Sequence, residues 1–203
     1  MNQIPRQISA APATRPTTQA AEGIPRLRWS LAEFERLGEL GVFGDDEHIE
    51  LIDGELVPMA SKGNRHENVR GALLNWLIRR LPIDALLFSE PGWRPGGDNY
   101  REPDLLIAPA GTWASDVRPD VVLLLIEVAR TSLTFDTGFK ARTYAGLGVR
   151  EYWVVNAVTL ETRIFREPGP GGYASNSVVA ADTLIVPTLL PALAIKMAAL
   201  GLD

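Results

Sequence analysis

The chain has 203 residues, enough for one domain with a sizeable core and short for two. Hydrophobic residues make up 46% and charged residues 22%, an ordinary globular balance, and the lack of cysteine excludes disulfides and thiolate metal sites. A formal net charge of −5 argues against a protein that coats nucleic acid by bulk charge, although a carboxylate-lined metal cleft would itself make the total acidic.

No apolar run approaches the roughly 18 residues of a membrane span, and the N-terminus lacks the basic-then-apolar pattern of a signal peptide. A cytoplasmic protein without membrane contact is expected. Residues 1–24, rich in Ala, Thr, Pro and Gln, read as a disordered tail, and residues 25–203 as one domain. Ser30-Leu31-Ala32-Glu33 is a capping box that opens a helix running to about Leu40 and ended by Gly41 and Gly44. His48 to Met59 predicts a β-hairpin around Asp53-Gly54. Val69, Leu73, Trp76 and Leu77 predict a helix from about Asn64 to Leu81, closed by Pro82.

Leu86-Leu87-Phe88 and Leu105-Leu106-Ile107 are short strands separated by a loop rich in Gly and Pro. Val121 to Val128, VVLLLIEV, is a strand covered on both faces. Asp136 is placed as the cap of a helix that carries Lys140 and Tyr144 and stops at Gly146 or Gly148. Glu151 to Val155, Thr162 to Phe165 and Tyr173 to Val179 form a meander, and the remainder wraps to a short terminal element. Antiparallel hairpins around a central pair indicate an α/β (mixed α+β) fold, one mixed sheet flanked by helices.

Glu127 is the first candidate for chemistry. A carboxylate after six apolar residues needs a metal ion, a basic partner or an exit to solvent at the sheet edge. Asp104 opens a second apolar strand directly after Pro103, which fixes the backbone and withholds a ladder donor. Neighbouring strands that each bear such a carboxylate can share one hard cation; the plainer alternative is an aspartate in a turn. Lys140 follows Glu127 by thirteen residues and is either a solvated helix lysine or the partner of both carboxylates. Of Glu50 and Glu55, beside the hairpin turn, one at most faces a cleft. His66 is a phosphate or carboxylate donor or else a packing residue, and His48 looks ordinary. Two histidines without cysteine exclude a structural zinc site. Phosphate-binding glycine loops, dinucleotide fingerprints and nucleophile elbows are lacking.

The run Glu50-Leu51-Ile52-Asp53-Gly54-Glu55-Leu56, then His66, Pro103-Asp104, Ile126-Glu127-Val128-Ala129, Ser132-Leu133, Asp136, Lys140, Tyr144 and Gly148 to Val155 resembles the Uma-type restriction endonuclease family. That family is grouped with the PD-(D/E)XK nucleases, and the resemblance spans roughly residues 27–200. It implies a restriction-endonuclease-like sheet of four to six strands and Mg²⁺-dependent endonuclease chemistry on DNA, with Mn²⁺ able to substitute. By the same resemblance Asp104, Glu127 and the Val128 carbonyl are metal ligands, Glu50 is an upstream acidic position, and Lys140 is a relocated catalytic lysine, because Ala129 stands where the pattern has one. Arg130 replaces an aspartate or serine, and His66 or Arg130 contacts the scissile phosphate. The competing expectation is a nucleic-acid-binding or regulatory module that keeps the nuclease fold with little or no turnover. A homodimer through an exposed sheet edge is a further expectation.

Overall fold

The computed structural model of the chain describes residues 17–19, 25–44, 47–59 and 62–202. Strand β1 (Thr17–Gln19) pairs antiparallel with β2 (Pro25–Leu27); the rest of the segment read as tail lies outside the described residues. Helix α1 (Leu31–Glu39) starts at the capping box. The Ser30 hydroxyl accepts from the Glu33 amide at 3.2 Å, and Glu33 accepts from the Ser30 amide at 3.0 Å.

The acidic hairpin pairs β3 (Ile49–Ile52) with β4 (Glu55–Pro58), and Asp53 and Gly54 have φ of 48° and 80°. Those left-handed values suit a two-residue turn between twisted strands. A side chain at Gly54 would also meet the Trp29 carbonyl at 3.1 Å. Leu51 and Tyr100 exchange two backbone hydrogen bonds of 2.9 Å, which fasten this small sheet beside the segment entering the main one. Helix α2 (Asn64–Ile78) stops short of the expected Leu81, because a residue before proline is pushed out of the helical region and the last turn loosens.

Strands β5 (Ala85–Ser89), β6 (Leu105–Pro109), β7 (Leu124–Ala129), β8 (Glu151–Asn156), β9 (Thr162–Gly169) and β10 (Gly172–Val179) form one sheet in the order β10-β9-β8-β7-β6-β5. Only β7 and β8 run parallel. Strand β7 starts three residues later than its apolar run suggests, since Pro119–Val121 forms a 3₁₀ turn that proline at its first position favours.

The β7–β8 crossover is helical. Turn α3 (Leu133–Phe135) passes through a π turn, Asp136–Lys140, into α4 (Ala141–Leu147), and Gly148 ends it with φ of 89°. Asp136 is therefore not the helix cap. Its amide already donates to the Ser132 carbonyl at 2.9 Å, so the helix starts one turn earlier and leaves Asp136 buried within it. Lys140 consequently lies mid-helix.

Alternation along the strands divides the core. Leu105, Ile107, Leu124, Ile126 and Val128 pack with Val69, Leu73 and Leu77 of α2 and with Ile195 and Met197 of the terminal segment. Leu106, Ala108, Leu125, Ala129, Tyr152 and Val154 pack beneath Ala141 and Tyr144 of the crossover helix. At about 1.5–3 kcal/mol for each large apolar side chain buried, these two layers hold the sheet. Among the described residues no helix is long and apolar enough to cross a membrane.

Candidate active site

The register of two strands assembles the site. In β6 and β7, Leu105 stands opposite Ile126 and Ile107 opposite Leu124. One step further sets Asp104 opposite Glu127. Both share the alternation of Leu106 and Leu125, which points under the crossover helix. Pro103 has no amide to continue the ladder, so the two carboxyl groups meet where regular pairing ends.

Asp104 and Glu127 are both buried and tied to each other's backbone. The Val128 amide donates to Asp104 Oδ2 at 2.8 Å, and the Asp104 amide donates to Glu127 Oε2 at 3.4 Å. From the helix above, Lys140 Nζ donates to Glu127 Oε1 at 2.9 Å and lies 3.4 Å from Glu50 Oε2. The π turn sets Lys140 and Tyr144 one turn apart over the same carboxylate, and the Tyr144 hydroxyl donates to Glu127 Oε1 at 3.2 Å. Glu50, buried on β3, accepts from the Glu102 amide at 3.1 Å. His66, in the first turn of α2, has Nε2 at 3.1 Å from Asp104 Oδ2 and Nδ1 at 3.2 Å from Glu67. Lys62 pairs with Glu90 and lies 3.4 Å from Asp104 Oδ1.

Asp104, Glu127, Lys140, Glu50, His66 and Lys62 wall one cleft of about 360 Å³, whose rim adds Val57, Met59, Arg130 and Phe135. Its electrostatics are uneven. For Asp104, burial would raise the pKa, but the His66 hydrogen bond and charge, the Lys62 charge and the Val128 amide hold it below the ordinary range. For Glu127, burial dominates and pushes the carboxyl up to about 8; Lys140 opposes this, while Asp104, Asp136 and Glu50 add to it. Lys140 is itself disfavoured as a cation by burial, yet Glu127 and Glu50 hold it charged, well above its usual value. Burial pulls His66 down, and Asp104 more than restores it. Asp136 is raised, chiefly by burial.

All five side chains singled out in the sequence, Asp104, Glu127, Lys140, Glu50 and His66, converge on this cleft, together with Val128. Glu55 is not among the lining residues, and His48 is exposed, 3.4 Å from Glu102. Arg130 lines the cleft without a carboxylate partner among the described residues, its Nη1 2.9 Å from where a side chain at Gly63 would begin. Lys62, the Tyr144 hydroxyl and the inward carboxyl of Asp136 were missed. The i, i+4 spacing of Lys140 and Tyr144 could have found the hydroxyl, but nothing in the loop around Lys62 marks its reach. Among the described residues no three His, Cys, Asp or Glu side chains form a ready cation cage, so a bound cation here would complete its shell with backbone oxygen and water.

No curated protein matches the sequence. Among solved structures, the fold is similar to a crystal structure described as a putative nuclease belonging to DUF820 from Anabaena variabilis ATCC 29413, with a TM-score of 0.63 at 16% identity over 84% of this chain and 96% of that one. At that identity the likeness concerns the fold alone. The family model for Uma2, described as "Putative restriction endonuclease", matches residues 31–198, from the first turn of α1 to the terminal segment. The chain belongs to the Uma2 restriction-endonuclease family.

Proposed function

We propose that the chain is a Mg²⁺-dependent endonuclease that hydrolyses phosphodiester bonds of DNA in this cleft, with Mn²⁺ able to replace Mg²⁺. The observation that carries the reading is the opposition of Asp104 and Glu127 across the β6–β7 register beneath Lys140. Their donor chemistry fits a hard cation: two carboxylates, the neighbouring Val128 carbonyl and room for water. Burial, with the neighbouring carboxylates of Asp104, Asp136 and Glu50 adding to it, lifts Glu127 to about 8, a state a divalent cation would relieve. A bound Mg²⁺ supplies a Lewis acid and makes water more acidic.

The chain's own residues do the rest. Asp104 is held ionised and in one orientation by His66 and the Val128 amide, ready as a ligand. Lys140, positioned by Glu50, donates toward the attacking water and offsets charge building on the phosphate. Arg130, without a carboxylate partner among the described residues, stands on the rim to receive a phosphate oxygen. Two copies would pair through the edge strands β5 or β10.

Supercoiled plasmid and single-stranded DNA incubated with Mg²⁺, Mn²⁺ or EDTA test the reading. Metal-dependent cleavage that Asp104→Asn and Glu127→Gln remove is expected; cleavage at the wild-type rate by both folded variants overturns it. A second reading, a binding module without turnover, draws on the ion pairs that already engage both carboxylates. Calorimetry that finds DNA binding without cation uptake would select it.

A further inference from the structure

A second cavity, of about 380 Å³, lies between the β3–β4 turn and the crossover helix, bordered by Asp53, Arg101, Phe139, Arg142, Thr143 and Leu147. Arg101 is fully buried there. Its Nη2 donates to Asn99 Oδ1 at 3.2 Å, whereas Nε and Nη1 are shielded from solvent and have no hydrogen-bond partner among the described residues. The Tyr144 ring, 5.7 Å from the guanidinium carbon, offers a cation–π contact worth about 1–2 kcal/mol. That does not balance a desolvated cation with two idle donors, each costing about 1–3 kcal/mol or more. The carboxylate on the wall, Asp53, accepts instead from Asn99 Nδ2 at 3.2 Å.

What would satisfy Arg101 is an oxyanion, the planar match of a guanidinium fork. Arg142 brings a second, exposed cation to the rim. Phe139, 38% exposed, stacks on Phe135 with centroids 5.3 Å apart and planes 18° apart, and Phe135 lines the carboxylate cleft. The stacked pair is thus a wall common to both cavities.

We propose that this second cavity is a phosphate subsite for the strand whose scissile group lies at Asp104 and Glu127, with an unpaired base of that strand seated on Phe139. The strand rests on the nuclease reading; the anion does not. The two phenylalanine rings are 5.3 Å apart, so a strand leaving the first cleft reaches the second within a nucleotide or two. Rotation of Phe139 and Arg142, which with Asp53 are the exposed side chains of the rim, opens the guanidinium to the incoming phosphate. A base on an aromatic face requires single-stranded nucleic acid at that point.

Nitrogen-15 NMR of the arginine side chains tests both parts on the full chain in EDTA, where no cleavage occurs. Inorganic phosphate is titrated first, then a short single-stranded oligothymidylate, then a duplex of the same length. The Arg101 Nε–H resonance, assigned through bonds from its backbone, is expected to move saturably with phosphate. Arg142→Ala should weaken that response roughly tenfold, and Arg79→Ala, at the exposed end of α2, should leave it alone. Phe139→Ala should weaken the oligothymidylate roughly tenfold and leave the duplex unaffected. Arginine resonances that drift together without saturation overturn the subsite. Saturation by phosphate with no response to oligothymidylate overturns the strand and leaves a site for free phosphate. Both results hold whether or not the protein cleaves DNA.

Discussion

Two glutamates are buried in neighbouring strands of one sheet, and their surroundings treat them oppositely. Glu151, at the start of β8, accepts from Trp153 Nε1, Arg166 Nη2 and the Thr188 amide, each at 2.7 Å. Burial alone would raise its carboxyl, but Arg166, Thr188 and Trp153 together hold it below the ordinary range. Glu127, on β7, has donors of its own in Lys140 and Tyr144, yet Asp104, Glu50 and Asp136 crowd the same space. Glu151 fastens the terminal segment to the sheet with its charge answered. Glu127 sits where negative charge is in excess. Burial of a carboxylate is common to a clamp and a reactive site, and the excess of like charge is what separates them.

Cleavage separates them most widely. Glu127→Gln should lower the cleavage rate by about 100-fold or more, whereas Glu151→Gln should leave the turnover of the folded fraction unchanged. Equal loss in both variants, measured on plasmid in Mg²⁺, would erase the distinction. Stability should invert the ranking. Glu151→Gln takes the carboxylate from Arg166, which keeps only the Val186 carbonyl at 2.8 Å, and should cost about 2–3 kcal/mol in urea denaturation, below the range for a fully buried pair because Arg166 is one-third exposed. Glu127→Gln, in metal-free protein, should cost well under half of that, since burial already favours its uncharged form. Lys140→Met lies between them. It removes the cation from Glu127 and Glu50, so it should destabilise metal-free protein by about 2 kcal/mol, and Mg²⁺ should recover part of the loss. Urea curves in which Mg²⁺ makes no difference to this variant would argue against a cation at the two carboxylates.

The contrast was half legible in the chain. Six apolar residues before Glu127, and Pro103 before Asp104, mark these carboxylates out, and the Asp53-Gly54 turn and the capping box announce their elements by local chemistry alone. That Asp104 stands opposite Glu127 depends on a long-range register that no local pattern displays. Asp136 misled because aspartate before a helical run is a common cap, while a π turn has no sequence period of its own. Lys62 and Arg101 come from loop segments whose spacing carries no period, so their approach to the site exists only once β3, α2 and β6 have packed.

The pH dependence is read by its sign, and that sign tests the comparison directly. Glu127 binds a proton more tightly folded, at about 8, than its ordinary 4.5, so its contribution to stability is full below about 4.5 and is lost as pH rises toward 8. His66 and Asp136, also raised, act in the same sense: the His66 contribution is present below about 6.5, and both are lost as pH rises through the folded values. Asp104 and Glu151, both lowered, contribute above the ordinary carboxylate range and lose that contribution only in acid, so they are silent between about pH 5 and 8. Metal-free protein should therefore lose Tm across that interval, and Glu127→Gln should reduce the loss. Because a cation requires ionised Glu127, Mg²⁺ affinity should climb over the same interval, with about one proton released per ion at neutral pH. Calorimetry in two buffers of different ionisation enthalpy counts that proton. A Tm that holds steady or rises from pH 5 to 8, with no proton released, would make Glu127 an ordinary anion and put it back beside Glu151.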